Sequence, residues 1–319
     1  LKNRFSLTIK RILFFALPLG IYSILRYVAL GQYFFGDSAT TVVTNPLKFA
    51  SFNERVITAF KVLYLYLEKL TWPIHLSADY SYNSIPVISN LLDPSFLFGI
   101  VFFGLLVLFL LYKKTNRTVL AFGSLIFLAP YFIVSNLVIP VGTIMGERLM
   151  YFPSLGLIIL ASYCLVKLAD RVGVKFAGAP LILIVVFYSA RTMVRNKDWR
   201  DAKTLFSATV KESPNSLITR TALAAVYIKT DEWDKAKEQL TIAQSIHENN
   251  PRTQNLLGII ADHDGNYKLA EEKYKKSLEL NPDAINAQIN LAELYTKQGR
   301  FEEAEISFGK VIDFYPVKE

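Results

Sequence analysis

The sequence predicts an all-α protein: a polytopic helical membrane domain followed by an extracytoplasmic α-solenoid of helix-pair repeats. Two observations predict this class. The chain of 319 residues is 52% hydrophobic with a mean hydropathy of +0.30, which is too apolar for an ordinary soluble enzyme. Its long apolar runs lie within residues 1–190, whereas residues 191–319 resemble themselves at an offset of 34 residues. We therefore predict domains at 1–190 and 191–319.

The charges are also divided between the two parts. Residues 1–190 carry 16 Lys and Arg against 7 Asp and Glu, and residues 191–319 carry 19 against 20. The basic excess therefore belongs to the apolar part, where it indicates membrane orientation and not a nucleic-acid partner. Cys164 is the only cysteine and lies inside an apolar run, so we expect neither a disulfide framework nor a thiolate metal site.

Four apolar runs approach the ~20 residues that a bilayer-spanning helix needs, and a fifth is weaker. The four are residues 94–112, 118–139, 152–168 and 176–190, and the weaker run is 11–30.

Basic residues in two short connections set the predicted orientation, because such residues stay in the cytoplasm. They are Lys113, Lys114 and Arg117 in one connection, and Lys167, Arg171 and Lys175 in or beside the other. By parity, residues 31–93 form an outward-facing segment, and the loop around residue 147 and the chain after residue 190 also face outward.

Residues 54–70 are apolar enough to resemble another crossing, but a single crossing there would reverse this parity. The charged Lys61, Glu68 and Lys69 are better accommodated if the helix is interfacial or re-entrant. We expect the Tyr64 and Tyr66 rings to lie at headgroup level.

The second part has the tetratricopeptide-repeat pattern, in which small residues let two antiparallel helices approach and large residues fill the gaps between pairs. Positions 34 apart match in five sets: Leu223, Leu257, Leu291; Asp231, Gly265, Gly299; Trp233, Tyr267, Phe301; Ala236, Ala270, Ala304; Leu240, Tyr274, Phe308. Trp199, Ala202 and Phe206 begin the array with a half repeat, which makes about three and a half repeats. The array lacks a polar capping helix, and no signal peptide follows Leu1. We therefore expect the C-terminal part of a longer protein.

Three motifs resemble those of the transmembrane and tetratricopeptide-repeat O-mannosyltransferases, membrane glycosyltransferases of the C-type fold. They are "PIHLSADYSYNSIP" at 73–86, "GERLMYFPSLG" at 146–156 and "RNKDWRDAKTLF" at 195–206. Each motif is short, but their order and the architecture between them agree with this family over most of the chain.

The resemblance implies transfer of a sugar, typically mannose, from a polyprenyl-phosphate carrier to a Ser or Thr hydroxyl. A base must take the hydroxyl proton, a cation must hold the departing phosphate and a groove must admit the lipid tail. In this family an acidic motif in the first outward loop supplies the base, so we expect the catalytic carboxylate upstream of Leu1. No cofactor and no metal site is evident from the residues. The implied partners are membrane lipid, the sugar carrier and an acceptor protein or other protein bound by the repeats.

Glu147 and Arg148 stand between two apolar runs. Arg148 is a candidate ligand for the carrier phosphate because its guanidinium is planar and always charged, and Glu147 is a candidate to orient it or contact the acceptor. The alternative is a topological anchor, since charged residues are common at the ends of spans. Tyr151 and Pro153 are expected to shape the entry into the next span.

Two further residues are weaker candidates for carrier-phosphate or substrate binding. Asp79 lies in the outward segment, but Asp-Tyr-Ser between two prolines is also ordinary turn chemistry. Arg26 lies near the end of the weaker span, where snorkelling towards the interface is the alternative. His75 is a lone histidine, and we expect it to be packed or hydrogen-bonded.

Two other function classes stay open at this point. One is a non-catalytic membrane scaffold for envelope or secretion assembly, and the other is a lipid-linked oligosaccharide ligase or polymerase. In every case the chain is an integral, multi-pass membrane protein. The membrane is the plasma membrane if the source is prokaryotic, which the short loops favour, and the endoplasmic reticulum if it is eukaryotic. The repeats are then extracytoplasmic or lumenal.

Overall fold

The computed structural model describes residue 17 and residues 20–29, 41–111, 118–138 and 140–314. The chain forms two compact units, residues 1–41 and residues 42–319. In the first unit residues 20–29 are helical. They belong to the weaker predicted span, 11–30, whose other residues apart from residue 17 lie outside the described parts.

The described residues of the second unit form α-helices and no strand, which confirms the predicted all-α class. The helices of the membrane part are α1 (Phe52–Thr71), α2 (Pro94–Leu111), α3 (Thr118–Val134), α4 (Tyr151–Val172) and α5 (Val174–Asn196). Those of the repeat part are α6 (Ala202–Glu212), α7 (Leu217–Lys229), α8 (Trp233–Ile246), α9 (Pro251–His263), α10 (Tyr267–Leu280), α11 (Ile285–Lys297) and α12 (Phe301–Phe314). Short 3-10 helices occur at Pro46–Lys48, Glu147–Met150 and Lys197–Trp199.

Within the described residues, three stretches are long and apolar enough to cross a bilayer: Pro94–Leu111, Glu147–Val172 and Gly178–Trp199. The chain is accordingly a membrane protein. The predicted span 118–139 is only partly helical, since α3 ends at Val134. Asn136 takes a φ of 59°, a left-handed conformation that stops helices. The last predicted span, 176–190, is longer than expected, because α5 continues to Asn196.

Helix α1 is the centre of the membrane core. Ser51 and Glu54 form a capping box at its start, and its apolar face packs into the principal buried cluster. Tyr66, which we expect at headgroup level, is buried within the protein core with 2% of its surface exposed. Its hydroxyl does not need water or headgroups, since it accepts from the Gly146 N–H at 3.0 Å and donates to the Gly146 carbonyl at 3.3 Å. Tyr64 is half-buried and packs edge-on against Phe98.

Two helix pairs approach so closely that only glycine fits at the contact. A Cβ placed on Gly99 of α2 would lie 2.1 Å from the Phe60 carbonyl oxygen of α1. A Cβ on Gly156 of α4 would lie 2.4 Å from the Gly123 carbonyl oxygen of α3. Backbone atoms cannot move aside as a flexible side chain can, so these glycines set the spacing of the four helices.

The repeat part consists of the pairs α7/α8, α9/α10 and α11/α12, preceded by α6 as the predicted half repeat. The turn within each pair contains one residue of positive φ: Asp231 at 58°, Gly265 at 76° and Gly299 at 72°. The small residues of the pattern are buried as expected, with Ala236 and Ala270 at 0% exposure. Helix α5 continues past residue 190 and leads directly towards α6, so no break in the chain marks the predicted boundary at residue 190. That boundary stays a prediction.

The contact at Gly99 generates a stability prediction. Gly99→Ala should lower the free energy of unfolding by about 1–3 kcal/mol, the usual cost of forcing extra atoms into a packed core. Gly104→Ala on the same helix is the matched control, because a Cβ there has nothing within 4 Å. The control should be neutral or slightly stabilising, since alanine favours helices over glycine. Thermal melting of both variants in neutral detergent measures the difference, and equal melting temperatures would contradict the predicted clash.

Candidate functional site

Residues 73–86, here called the junction segment, connect α1 to the rest of the membrane core and lie against the start of the repeats. Helix α5 holds the beginning of this segment. Tyr188 donates from its hydroxyl to the Leu70 carbonyl at 2.5 Å. Arg191 donates from Nε to the Pro73 carbonyl at 2.6 Å and from Nη2 to the Ile74 carbonyl. The last carbonyls of α1 and the first of the segment are therefore satisfied by the last candidate span.

Glu147 binds the middle of the junction segment. Its Oε1 accepts the Ser77 backbone N–H at 2.8 Å and the Tyr80 hydroxyl at 2.6 Å. Burial raises the pKa of Tyr80 well above its usual value, and the neighbouring Glu147 carboxylate raises the same pKa further. Tyr80 therefore keeps its proton and stays a donor to Glu147 across the physiological pH range.

Asp79 connects the junction segment to the start of helix α7 in the repeats. Its Oδ2 accepts the Ser81 N–H at 3.0 Å, the Ser81 hydroxyl at 2.5 Å and the Ser216 hydroxyl at 2.5 Å. Ser216 is the N-cap of α7, and Ser213 donates to the Ser77 hydroxyl at 2.8 Å. The predicted turn chemistry at Asp79 is thus present, and its second partner joins the membrane part to the array.

Arg148 lies beside these contacts but takes no part in them. It sits in the 3-10 turn Glu147–Met150 that begins the span of α4, and its side chain is exposed. Among the described residues it has neither a hydrogen-bond nor an ion-pair partner. The site therefore combines a carboxylate committed to the protein with an adjacent guanidinium whose five donors are open to an anion.

The other predicted residues have contacts of their own. Arg26 lies in the first compact unit, where its Nη1 donates to the Tyr22 hydroxyl at 3.2 Å. His75 Nδ1 lies 3.0 Å from Glu212 Oε2, so this histidine is hydrogen-bonded as expected. The roles assigned to Arg148, Glu147, Asp79 and Arg26 in binding stay predictions.

A cavity of about 210 Å³ lies beside Glu147. Its walls come from the core and from α5, and they include Tyr66, Met150 and Tyr188. Ligand pockets usually measure roughly 300–1,000 Å³. The described residues around Glu147 therefore enclose only a small part of any site for a lipid-linked sugar.

The sequence did not indicate several of these contacts. Ser216 and Thr219 have the spacing of an N-cap, which is a local signal for a helix start. Nothing local shows that the same Ser216 hydroxyl reaches Asp79, because 137 residues separate the two positions. The carbonyl contacts of Tyr188 and Arg191 span similar distances in sequence.

Comparison with known proteins agrees with the motifs. Residues 38–107 match the family described as Protein O-mannosyl-transferase TMTC, DUF1736, and residues 193–260 and 263–314 match the tetratricopeptide repeat. Protein O-mannosyl-transferase TMTC3 of Homo sapiens is 26% identical over 241 residues, which are 74% of this chain and 23% of that protein. Tmtc3 of Drosophila melanogaster is 23% identical over 284 residues, 85% of this chain and 27% of that protein.

The resemblance predicted from the three motifs is therefore confirmed. The chain spans about a quarter of the length of these curated relatives. Among solved structures, MamA from Desulfovibrio magneticus RS-1 aligns with a TM-score of 0.32 and 20% identity, over 48% of this chain and 92% of that chain.

The contact between Asp79 and Ser216 generates the second prediction. Asp79→Ala and Ser216→Ala should each lower the free energy of unfolding by about 1.5–3 kcal/mol, the range for hydrogen bonds to a charged group. The double variant should lose less than the sum, with a coupling energy of about 0.5–3 kcal/mol. Denaturant titration of all four proteins measures this coupling. Asp93→Ala combined with Ser216→Ala is the matched control and should be additive, because the hydrogen bonds of the Asp93 side chain among the described residues lie within its own turn, to Ser95 and Phe96. Additive losses at positions 79 and 216 would show that the two side chains do not interact.

Proposed function

We propose that this chain works in a membrane glycosyltransferase that moves a sugar from a polyprenyl-phosphate carrier to Ser or Thr hydroxyls of proteins. The names of its relatives indicate that the sugar is mannose. The observation that carries the proposal is that the Glu147 carboxylate is hydrogen-bonded within the protein, while the adjacent Arg148 guanidinium is exposed and has no partner among the described residues. The match of residues 38–107 supports it, because that region contains the junction segment to which Glu147 is bound.

The reaction assigns different roles to the two residues. The acceptor oxygen attacks the anomeric carbon of the sugar, a base takes the hydroxyl proton and the carrier phosphate leaves with the bonding electron pair. Arg148 stabilises the charge that develops on the departing phosphate, since a planar fork engages two phosphate oxygens at once. Glu147 is a positioning residue: its Oε1 already accepts two donors, so it orients the turn that presents Arg148.

The proposed orientation places the site and the repeats on the outward or lumenal face. The support is the basic content of the connections before α3 and after α4, which are expected to stay in the cytoplasm. Helix α5 then crosses the membrane and delivers the chain directly to α6. An acceptor bound by the array is in this way held close to the membrane surface.

A polar cleft in the array is the proposed acceptor site. It has a volume of about 800 Å³ and lies mainly between α9 and α11. Four asparagines line it: Asn255, Asn281, Asn286 and Asn290. Asn290 donates from Nδ2 to Asn255 Oδ1 at 2.9 Å, which leaves the Asn255 amide N–H donors and the Asn290 amide oxygen for the C=O and N–H groups of an extended peptide, without demanding a particular sequence.

The third prediction tests Arg148 in the full-length enzyme with a polyprenyl-phosphate sugar donor. Arg148→Ala should lower kcat/KM roughly 30- to 1000-fold, which corresponds to ~2–4 kcal/mol of lost transition-state stabilisation. Arg148→Lys should rescue only part of this, because an ammonium keeps the charge but loses the two-pronged contact.

The matched control is Arg171→Ala, which removes the same charge from the last turn of the same helix, α4. Turnover should match that of the unaltered enzyme. If Arg148→Lys and Arg148→Ala also keep full turnover at equal expression, Arg148 is a membrane anchor and the phosphate role is refuted.

The fourth prediction tests the cleft of the repeats. Asn255→Ala combined with Asn290→Ala should raise KM about tenfold for a long unfolded protein acceptor and leave KM for a short peptide unchanged. The size follows from two lost neutral hydrogen bonds, each worth about 0.5–1.5 kcal/mol. Asn249→Ala, on an exposed turn outside the cleft, is the control. Equal effects on both acceptors would mean that the cleft does not select protein substrates.

A further inference from the structure

A second cavity, of about 540 Å³, lies between the end of α5 and helix α6. Leu76 of the junction segment lines both this cavity and the smaller cavity beside Glu147. The two cavities are therefore neighbours. Its lining is strongly basic. The cationic side chains are Arg191, Arg195, Lys197, Arg200 and Lys211.

Carboxylates neutralise only part of this charge. Arg195 is paired with Asp198 and Arg200 with Asp201, and Glu212 of the lining lies 3.0 Å from His75. Among the described residues Lys197 and Lys211 have no carboxylate partner. The cavity therefore has a surplus of positive charge, which favours an anionic ligand.

Arg195 is the buried member of the cluster, with 9% of its surface exposed. Its Nη1 donates to Asp198 at 3.0 Å, whereas its Nη2 is buried and has no hydrogen-bond partner. A buried guanidinium nitrogen without an acceptor is unfavourable, because removal from water is not compensated by a new bond. Arg195 also lines the cavity, so an anion bound there would give this unsatisfied nitrogen an acceptor once the guanidinium turns towards it.

The surroundings place this cavity at a membrane surface. It lies at the end of the last candidate span, Gly178–Trp199. Near the end of this span, Met193 is 68% exposed and Trp199 is 59% exposed. An exposed tryptophan at the end of an apolar helix is typical of the lipid–water interface. The anion nearest to such a cavity is the phosphate of a lipid headgroup.

We propose that this cavity binds the phosphate of an anionic phospholipid. Arg195 is the buried ligand, and Lys197 and Lys211 contact the phosphate from the rim. The bound headgroup would bridge α5 and α6 and so hold the first helix of the array against the membrane. The inference is independent of the proposed transferase activity, since it concerns a structural lipid and not the sugar carrier.

Isothermal titration of the purified chain in neutral detergent tests the proposal. The probes are dioctanoyl phosphatidylglycerol, dioctanoyl phosphatidylcholine, inorganic phosphate and farnesyl phosphate. Phosphatidylglycerol should bind most tightly. Arg195→Gln should raise its Kd about 10- to 100-fold, the effect of losing hydrogen bonds to a charged group. Arg171→Gln, which removes a charge at the far end of α4, should leave Kd unchanged.

Because Arg195→Gln removes a buried charge and can disturb folding, the rim supplies a second variant. Lys197→Gln combined with Lys211→Gln should raise the same Kd about tenfold and leave the melting temperature of the lipid-free protein unchanged. Equal affinity for both phospholipids, or unaltered binding by the rim variant, would overturn the proposal. Inorganic phosphate binding as tightly as phosphatidylglycerol would show a site for free anions. Tighter binding of farnesyl phosphate would assign the cavity to the carrier instead.

Discussion

The junction segment is the constraint on which the arrangement of the membrane part and the repeats depends. Glu147 holds it from the membrane side through Ser77 and Tyr80, and Ser216 holds it from the repeat side through Asp79. Both carboxylates accept short hydrogen bonds in partly buried surroundings, where such bonds are stronger than in water. Because the same short segment is hydrogen-bonded to Glu147 at the start of α4 and to Ser216 at the start of α7, these two helix starts cannot move independently. The contact that docks the array also sets the turn carrying Arg148.

The core behind that turn is rigid for a related reason. Tyr66 exchanges two hydrogen bonds with Gly146, the residue directly before Glu147. Asn45 donates from Nδ2 to Asn136 Oδ1 at 2.8 Å and to the Val141 carbonyl at 2.6 Å, which fixes the loop between α3 and the turn. These polar groups are buried and bonded, so displacing any of them would expose an unsatisfied donor or acceptor. The backbone that carries the exposed Arg148 is therefore held in place, which is consistent with the phosphate role proposed for it.

The elements that sequence predicted well are those with a local cause. The repeat positions at Ala236 and Ala270 were identified because each helix pair repeats the same packing requirement every 34 residues. The apolar run of α2 was identified because its length matches a bilayer. The burial of Tyr66 could not be predicted, because an amphipathic tyrosine suits both an interface and a buried pocket with polar partners, and only the fold brings Gly146 to its hydroxyl. The early end of α3 followed from the backbone of Asn136, which an apolar run does not reveal.

The sequence by itself determined the helical class, the membrane character, the repeat array and the adjacent pair Glu147 and Arg148, because composition, periodicity and short motifs are properties of neighbouring residues. Tertiary structure alone decided what each charged group does. It committed Glu147 and Asp79 to partners 70 and 137 residues away, left Arg148 open and gathered Arg195 with four other basic residues around one cavity. The physical reason is that a carboxylate or guanidinium can bond to many kinds of partner. Which one it meets depends on how the helices pack.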